Sequence, residues 1–188
     1  MPIVAHSAAD EKGELYGLSA LTISAKADGA ALLLLATPEA CAQWQLQPRA
    51  QWLASASVGA APETPMLAAI AATQKLLQRG AQSLEQLQQP ELSAHDLSAV
   101  ELHDAFAVQG LVFCEALGLQ SEQINTQGGG LARGHPIGAS GAIALVRCLA
   151  QLQTSGQPGA LGMAAIAGAG GIGAATLVQW LGAEAHAL

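Results

Sequence analysis

The segment that most constrains the fold of this chain is a glycine-rich run at residues 125–141, with the sequence NTQGGGLARGHPIGASG. Glycine loses more backbone freedom on folding than any other residue, so such a run is costly unless the backbone must turn tightly or approach another group closely. His135 is the side chain here whose charge changes near neutral pH, and Pro136 fixes the backbone directly after it. An isolated G-H-P favours a plain loop with a solvated histidine. The length of this run instead favours a loop that brings backbone and imidazole to a ligand.

The composition is that of a globular domain with a partner surface. The 188 residues are enough for one core, and 51% hydrophobic against 11% charged residues is too apolar for disorder and short of charge for a lone monomer. We therefore expect an oligomer. The net charge of −7 offers no basic field for nucleic acid or for an anionic membrane, so we expect neither as a partner.

Cysteine usage and the N-terminal sequence predict a cytoplasmic protein without a metal site. Cys41, Cys114 and Cys148 are few and widely spaced, which favours neither a disulfide framework nor a zinc site. No basic region followed by an apolar core marks a secretory signal, and no apolar run approaches the roughly 20 residues of a membrane span.

The order of the elements predicts an α/β fold. After an N-terminal arm at residues 1–17, one domain is expected at residues 18–188. Strands are predicted at residues 30–36, 49–58, 96–103, 161–167 and 174–181. Helices are predicted from Pro38 and at residues 66–79, 105–117 and 136–153, with Gly80 and Gly118 as stop signals. This alternation favours a mostly parallel sheet that ends in an antiparallel pair.

A second glycine cluster imitates a dinucleotide-binding fingerprint. Gly168, Gly170 and Gly173 fit G-x-G-x-x-G after a predicted strand. That fingerprint must open a helix and precede an acidic residue about twenty positions on, and neither follows here. A tight turn between two strands is the better interpretation.

Several motifs together resemble the thiolase family. The loop pattern N-x-x-G-G-x-x-x-x-G-H-P-x-G-x-S-G matches at Asn125, Gly128, Gly129, Gly134, His135, Pro136, Gly138, Ser140 and Gly141. The N-E-A-F motif of that family corresponds to HDAF at residues 103–106, and its C-x-G-G-G-x-G motif to AIAGAGG at residues 165–171. An A-S-x-x-x-D-G-A-A segment matches at Ser24, Asp28, Gly29, Ala30 and Ala31. The resemblance covers roughly residues 18 to 182.

The resemblance implies a fold and an incomplete site. The C-terminal half of a thiolase has a five-stranded mixed sheet covered by helices, and it packs against a homologous N-terminal half that carries the nucleophilic cysteine. These 188 residues contain no counterpart of that other half. The three cysteines fall in predicted helices, where buried structural thiols are expected.

The resemblance also assigns roles to particular residues. His135 corresponds to the histidine that activates the nucleophile and donates to an oxyanion. His103 stands where common degradative thiolases have asparagine, and it resembles the second histidine of sterol-carrier-type thiolases and two-histidine ketosynthases. A helix-capping role for His103 is the alternative. The cysteines that serve as acid/base in those two thiolase classes are replaced by Ala165 and Ala105.

Four further positions are expected to contact a coenzyme A thioester, with no permanently bound cofactor. Ser24 matches a pantetheine contact, Phe106 lines the acyl pocket, and the backbone near Ala167 and Gly168 donates to a second oxyanion. Capping for Ser24 and core packing for Phe106 are equally compatible with the sequence.

Three functional hypotheses follow. The first is an acyl-CoA acyltransferase subunit or half, catalysing thiolysis or Claisen condensation with a nucleophile-bearing partner and inactive alone. The second is a non-catalytic protein that binds CoA esters or serves in assembly. The third, a thiolase-like aldolase subunit, needs a base such as a well-placed tyrosine, and the only tyrosine, Tyr16, lies in the N-terminal arm.

Overall fold

A computed structural model describes residues 4–9, 15–85 and 92–182 of the chain. The strands are β1 Val4–Ala9, β2 Leu15–Ser19, β3 Ala50–Gly59, β4 Leu97–Leu102, β5 Leu161–Gly168 and β6 Ile172–Trp180. The helices are α1 Pro38–Trp44, α2 Leu67–Glu85, α3 Ala107–Leu117, α4 Gly130–Arg133 and α5 Ser140–Ser155.

Four strands form the main sheet, in the order β3-β6-β5-β4. β3 and β5 both run antiparallel to β6, whereas β4 runs parallel to β5. The antiparallel β5–β6 pair at the end of the chain confirms the predicted terminal pair. The prediction of a mostly parallel sheet was wrong, because the turn after Gly168 reverses the chain and β3 then joins the far side of β6.

Helices cover both faces of this sheet. On one face α2 and α3 pack around a core that includes Leu76, Phe113, Met163 and Leu177. On the other face α5 packs against a smaller cluster with Leu145, Cys148, Leu152 and Trp180. In β5, Met163 and Ala165 contribute to the first cluster and Ala164 between them to the second, as the period of two in a strand requires.

The predicted fifth strand is absent from the part of the chain that the structure describes. Residues 30–36 have no regular secondary structure, and their leucines are exposed at Leu32, Leu34 and Leu35 instead of buried in the sheet. An apolar run becomes a strand only where a neighbouring strand pairs with it, and among the described residues no strand is hydrogen-bonded to this run. At the β4 edge of the main sheet, Ile124 forms a single parallel bridge with Val100.

Helix ends were predicted with mixed success. α1 begins at Pro38 behind the Thr37 N-cap, and α3 ends where Gly118 adopts a left-handed conformation, both as predicted. Gly80 does not stop α2, which continues to Glu85. A Cβ at Gly80 would lie 2.6 Å from the side chain of Leu177, so the glycine allows close packing of helix and sheet.

The N-terminal arm forms a hairpin rather than an irregular segment. β1 and β2 pair antiparallel, and the boundary expected after residue 17 falls inside β2. The division into arm and domain remains a prediction. No helix within the described ranges has the length and apolar character that crossing a bilayer requires.

Candidate active site

The end of β4 carries the first residue of the site. β4 pairs with β5, and the His103 amide donates to the Ala165 carbonyl at 2.9 Å just beyond the last strand residue. His103 is only 1% exposed, and neither ring nitrogen has a hydrogen-bond partner among the described residues. His103 does not cap α3. That helix begins at Ala107, and its N-cap residue, Phe106, forms no side-chain capping bond.

The glycine loop brings His135 to His103. The two rings lie with their centroids 4.3 Å apart and their planes inclined by 60°. The His135 amide donates to the Ala25 carbonyl at 2.7 Å, and His135 forms a bridge with Lys26. Residues 23–27 thus lie between the loop and the HDAF motif, since Ile23 forms a second bridge with Phe106.

Asn125 joins the start of the loop to β4. Its backbone has a φ of 50°, in the left-handed region that asparagine tolerates better than most residues. The Asn125 amide donates to Val100 at 2.9 Å, and its side-chain oxygen accepts from the Leu102 amide at 2.8 Å. One residue therefore continues the hydrogen-bond pattern of β4 and turns the chain away from it.

Asp104 joins the middle of the loop to the HDAF motif. Its carboxylate accepts a hydrogen bond from the Gly130 amide. A Cβ at Gly129 would lie 2.1 Å from the same carboxylate, so glycine is required there. Burial raises the pKa of Asp104, although the Gly130 hydrogen bond opposes that shift. In the structure, Asp104 therefore holds the middle of the loop.

The environment of His103 keeps its imidazole neutral. Burial, together with the neighbouring His135 and Arg133, lowers the pKa of His103 to about 4. A neutral imidazole at pH 7 has one donor and one acceptor nitrogen. Because unpartnered buried polar atoms are costly, the two free nitrogens mark a place where a polar ligand atom gains hydrogen bonds.

The other predicted residues lie around this pair. The Ser24 hydroxyl is buried and donates to the Gly130 carbonyl at 2.6 Å, so it helps to hold the loop. The Ser24 amide donates to Ala105 at 2.8 Å, which places it beside the HDAF motif. Phe106 is half-buried, and Ala167 and Gly168 end β5 two and three residues beyond Ala165. No ligand contact of these four residues is tested by the structure.

Sequence reasoning missed three charged residues that contact one another at the loop. Glu101 is 0% exposed in β4 and forms ion pairs with Arg133 and Arg147. The available signal was a carboxylate in an otherwise apolar strand, two residues before His103 and hence on the same face.

All three cysteines are buried. Burial raises the pKa of the Cys148 thiol to about 12, and it also raises the pKa of Cys114. Neither favours the thiolate that nucleophilic catalysis needs. Within the described residues, no group of histidine, cysteine and acidic side chains is arranged to hold a metal ion.

Comparison with known proteins gives consistent matches. The family profile described as "Thiolase, C-terminal domain" matches residues 46–180. The β-ketoadipyl-CoA thiolase of Acinetobacter baylyi is 40% identical over 131 residues, which are 69% of this chain and 30% of that enzyme. The acetyl-CoA acetyltransferase of Chromobacterium violaceum is 36% identical over 152 residues, 81% of this chain and 36% of that enzyme.

A solved structure extends the similarity to the fold. The crystal structure of Acat5 thiolase from Ascaris suum in complex with coenzyme A superposes with a TM-score of 0.71 and 29% identity. The alignment covers 94% of this chain and 42% of that one. The chain thus spans less than half the length of each of these three relatives.

Proposed function

Because the chain belongs to the thiolase family, we propose that His103 and His135 form one part of a site for acyl transfer on a coenzyme A thioester. The observation that carries this proposal is the pair of rings 4.3 Å apart, one of them buried with both nitrogens unpartnered. The family resemblance supports the substrate class, and the Ascaris suum structure contains coenzyme A.

The two histidines have different tasks in this proposal. His135 takes the proton of a cysteine thiol, and the resulting thiolate attacks the thioester carbonyl while the CoA thiolate leaves. His103, held neutral by its burial, donates an N–H to the oxygen that becomes negative. A protonated His103 would be costly at this buried position, so a neutral donor suits it.

A nucleophilic cysteine has to come from outside these 188 residues. Cys41, Cys114 and Cys148 are buried, and burial raises the pKa of the Cys114 and Cys148 thiols. We propose that a thiolase N-terminal-like half supplies the nucleophile, either on a separate chain or in a longer form of this polypeptide. Alone, the 188 residues are expected to catalyse neither thiolysis nor condensation.

An exposed leucine run supports such a partner. Leu32 and Leu34 are 92% and 79% exposed, whereas Leu33 between them packs against the cluster beneath α5. Leu35 is also 65% exposed, so the run presents three apolar side chains to solvent, and a contiguous exposed apolar patch is typical of a protein contact. The run lies outside the matched range 46–180. We therefore assign residues 30–36 to the interface with the other half, or with a second copy in a homo-oligomer.

The remaining predicted residues keep their proposed roles. Ser24 is proposed to contact the pantetheine part of the thioester and Phe106 its acyl part, and the backbone at Ala167 and Gly168 is proposed to donate to the second oxyanion. CoA thioester is substrate rather than resident cofactor, and the cytoplasm is the proposed location.

The test is reconstitution. The chain is co-expressed with the N-terminal half of a similar thiolase, and thiol release is measured with a 3-ketoacyl-CoA and free CoA. Turnover is expected for the mixture, and His135→Ala is expected to reduce it by about 100-fold or more, as loss of an acid/base group does. Turnover by the chain alone that survives serine at all three cysteines but is lost in His135→Ala would overturn the need for a partner.

The proposed interface is tested by introducing a charged side chain into it. Leu34→Asp places a carboxylate on the proposed contact and is expected to abolish co-purification of the two halves. Leu111→Asp, at a 65% exposed position on α3, is the matched control and should leave co-purification unchanged. If both variants bind the other half equally well, residues 30–36 are not the interface.

A second candidate function is non-catalytic binding of CoA esters or a role in assembly. It is favoured by alanine at both positions, 105 and 165, where the two thiolase classes have their acid/base cysteine. Titration calorimetry of the isolated chain with acetyl-CoA and a longer acyl-CoA addresses it. Binding heat from the isolated chain, without turnover in the reconstituted mixture, would favour a protein that binds CoA esters. If calorimetry gives no heat, a role in assembly is the remaining form of this candidate.

A further inference from the structure

A buried carboxylate lies beneath the candidate site and takes no part in the chemistry proposed above. Glu101 is 0% exposed, and burial raises its pKa while Arg147 and Arg133 oppose that shift. Arg147 Nε lies 3.3 Å and Arg133 Nη1 3.6 Å from Glu101 Oε2. Gln151 of α5 donates to the other carboxylate oxygen.

Fold stability does not explain this carboxylate. Burying an ion pair removes both partners from water, and apolar residues of similar volume are often equally stable or better. β4 has alanine, valine and leucine beside Glu101, so an apolar residue fits the strand pattern there. The retained charge therefore suggests a task other than core packing.

The two arginines connect Glu101 to the glycine loop. Arg147 Nη2 donates to the carbonyl of Gln127 at 2.8 Å and to that of Gly128 at 2.9 Å. Arg133 Nη1 also reaches the Gly128 carbonyl, at 3.3 Å. Gly128 has a φ of 84°, so these bonds fix the loop where its backbone turns.

This connection reaches both histidines. Glu101 lies two residues before His103 on the same face of β4, and Arg133 lies two residues before His135 on the loop. Glu101 is thus connected through the two arginines to the loop that carries His135, in addition to the Asp104 and Ser24 contacts that also hold this loop.

We propose that Glu101 is a positioning residue, which acts through Arg133 and Arg147 to hold the glycine loop and so sets His135 against His103. Its importance for catalysis rests on the proposed function, but its effect on the loop does not. A structural ion pair would change global stability only, whereas a positioning unit changes the loop and the His135 ring selectively.

The experiment compares Glu101→Gln with Glu115→Gln, an exposed control on α3. Amide hydrogen exchange is measured at Gly128, whose N–H bonds to Asn125, at His135, and at Leu177 in the core. Glu101→Gln is expected to speed exchange at Gly128 and His135 by about tenfold or more relative to Leu177, because a charge-assisted anchor is lost. It is also expected to shift the ring resonances of His135. Equal changes at all three amides, with an unmoved His135 ring, would overturn the proposal.

If Glu101→Gln proves too unstable to measure, Arg147→Lys is the second variant, because it keeps a positive charge beside Glu101. Lysine can pair with Glu101, but it lacks the planar guanidinium with which Arg147 contacts the carboxylate through Nε and two loop carbonyls through Nη2. The positioning role predicts faster exchange at Gly128 with unchanged exchange at Leu177, whereas unchanged exchange at both would refute it.

The reconstituted mixture adds a catalytic measurement. Glu101→Gln is expected to lower kcat by about tenfold with a KM for the thioester within about twofold, since the group acts on geometry in the transition state. Absence of turnover in the wild-type mixture would count against the proposed function, while the exchange and ring measurements would still decide the role of Glu101.

Discussion

His103 makes the stability of this protein depend on pH in a predictable direction. In the folded chain its pKa is lowered from 6.5 to about 4, mainly by burial and then by His135 and Arg133. An unfolded chain takes up a proton at residue 103 as the pH falls through about 6.5, whereas the folded chain does not until about pH 4. The unfolded state binds more protons in that interval, so the stability that is present at pH 7 is lost as the pH falls.

The magnitude follows from the shift. One pKa unit corresponds to about 1.4 kcal/mol, so the free energy of unfolding is expected to decrease by about 3 kcal/mol between pH 7 and pH 4 through His103 alone. The raised pKa values of Glu101 and Asp104 act in the opposite direction, because the folded state binds their protons at a higher pH. A raw stability profile therefore mixes contributions of both signs.

Comparing the wild type with a variant that lacks this histidine isolates the contribution of His103 to the free energy of unfolding. Urea unfolding is measured at pH 7, 6, 5 and 4 for the wild type and for His103→Gln, which keeps a polar side chain but cannot titrate. The wild type is expected to lose about 3 kcal/mol relative to the variant over this range. His95→Gln, at an exposed position, is the control. Parallel profiles for wild type and His103→Gln would refute the argument that residue 103 is buried neutral.

Three further substitutions test the packing of the loop and sheet. Gly130→Ala places a Cβ 3.0 Å from the His103 ring and is expected to abolish activity of the reconstituted mixture, whereas Gly138→Ala, with open space around it, should retain activity. Asn125→Ala is expected to lower the free energy of unfolding by about 1 to 3 kcal/mol, measured in urea, because a β4 amide loses its acceptor. Gly173→Ala is expected to destabilise the fold by about 1 to 3 kcal/mol or more in the same assay, because its Cβ would lie 2.0 Å from a backbone oxygen of α2.

The sequence predicted most of the local structure because that structure depends on neighbours in the chain. Pro38 behind Thr37 begins α1, and Gly118 ends α3, since caps act within one helical turn. The turn after Gly168 and the rejection of a dinucleotide site there follow equally from local order, because β6 and not a helix comes next.

Errors arose where a distant partner decides the outcome. The leucines at residues 30–36 have the composition of a buried strand, but within the described residues no strand is hydrogen-bonded to them. In the sequence, Gly80 resembles a glycine that ends a helix. In the structure, its lack of a side chain allows close contact with Leu177, about a hundred positions away along the chain. A sequence pattern indicates which secondary structure a segment favours. Whether that segment pairs with a strand or contacts another residue depends on what packs against it in the fold.

The candidate site divides in the same way. The sequence by itself determined the family and the identity of the two histidines, because the G-H-P loop and the HDAF motif are local patterns of residue type. Only the tertiary structure decided that the rings meet at 4.3 Å, that His103 is neutral, and that Glu101 connects to the loop through two arginines. The physical reason is that pKa values and ion pairs depend on distance and burial, and both are set when β4, α5 and the glycine loop pack together.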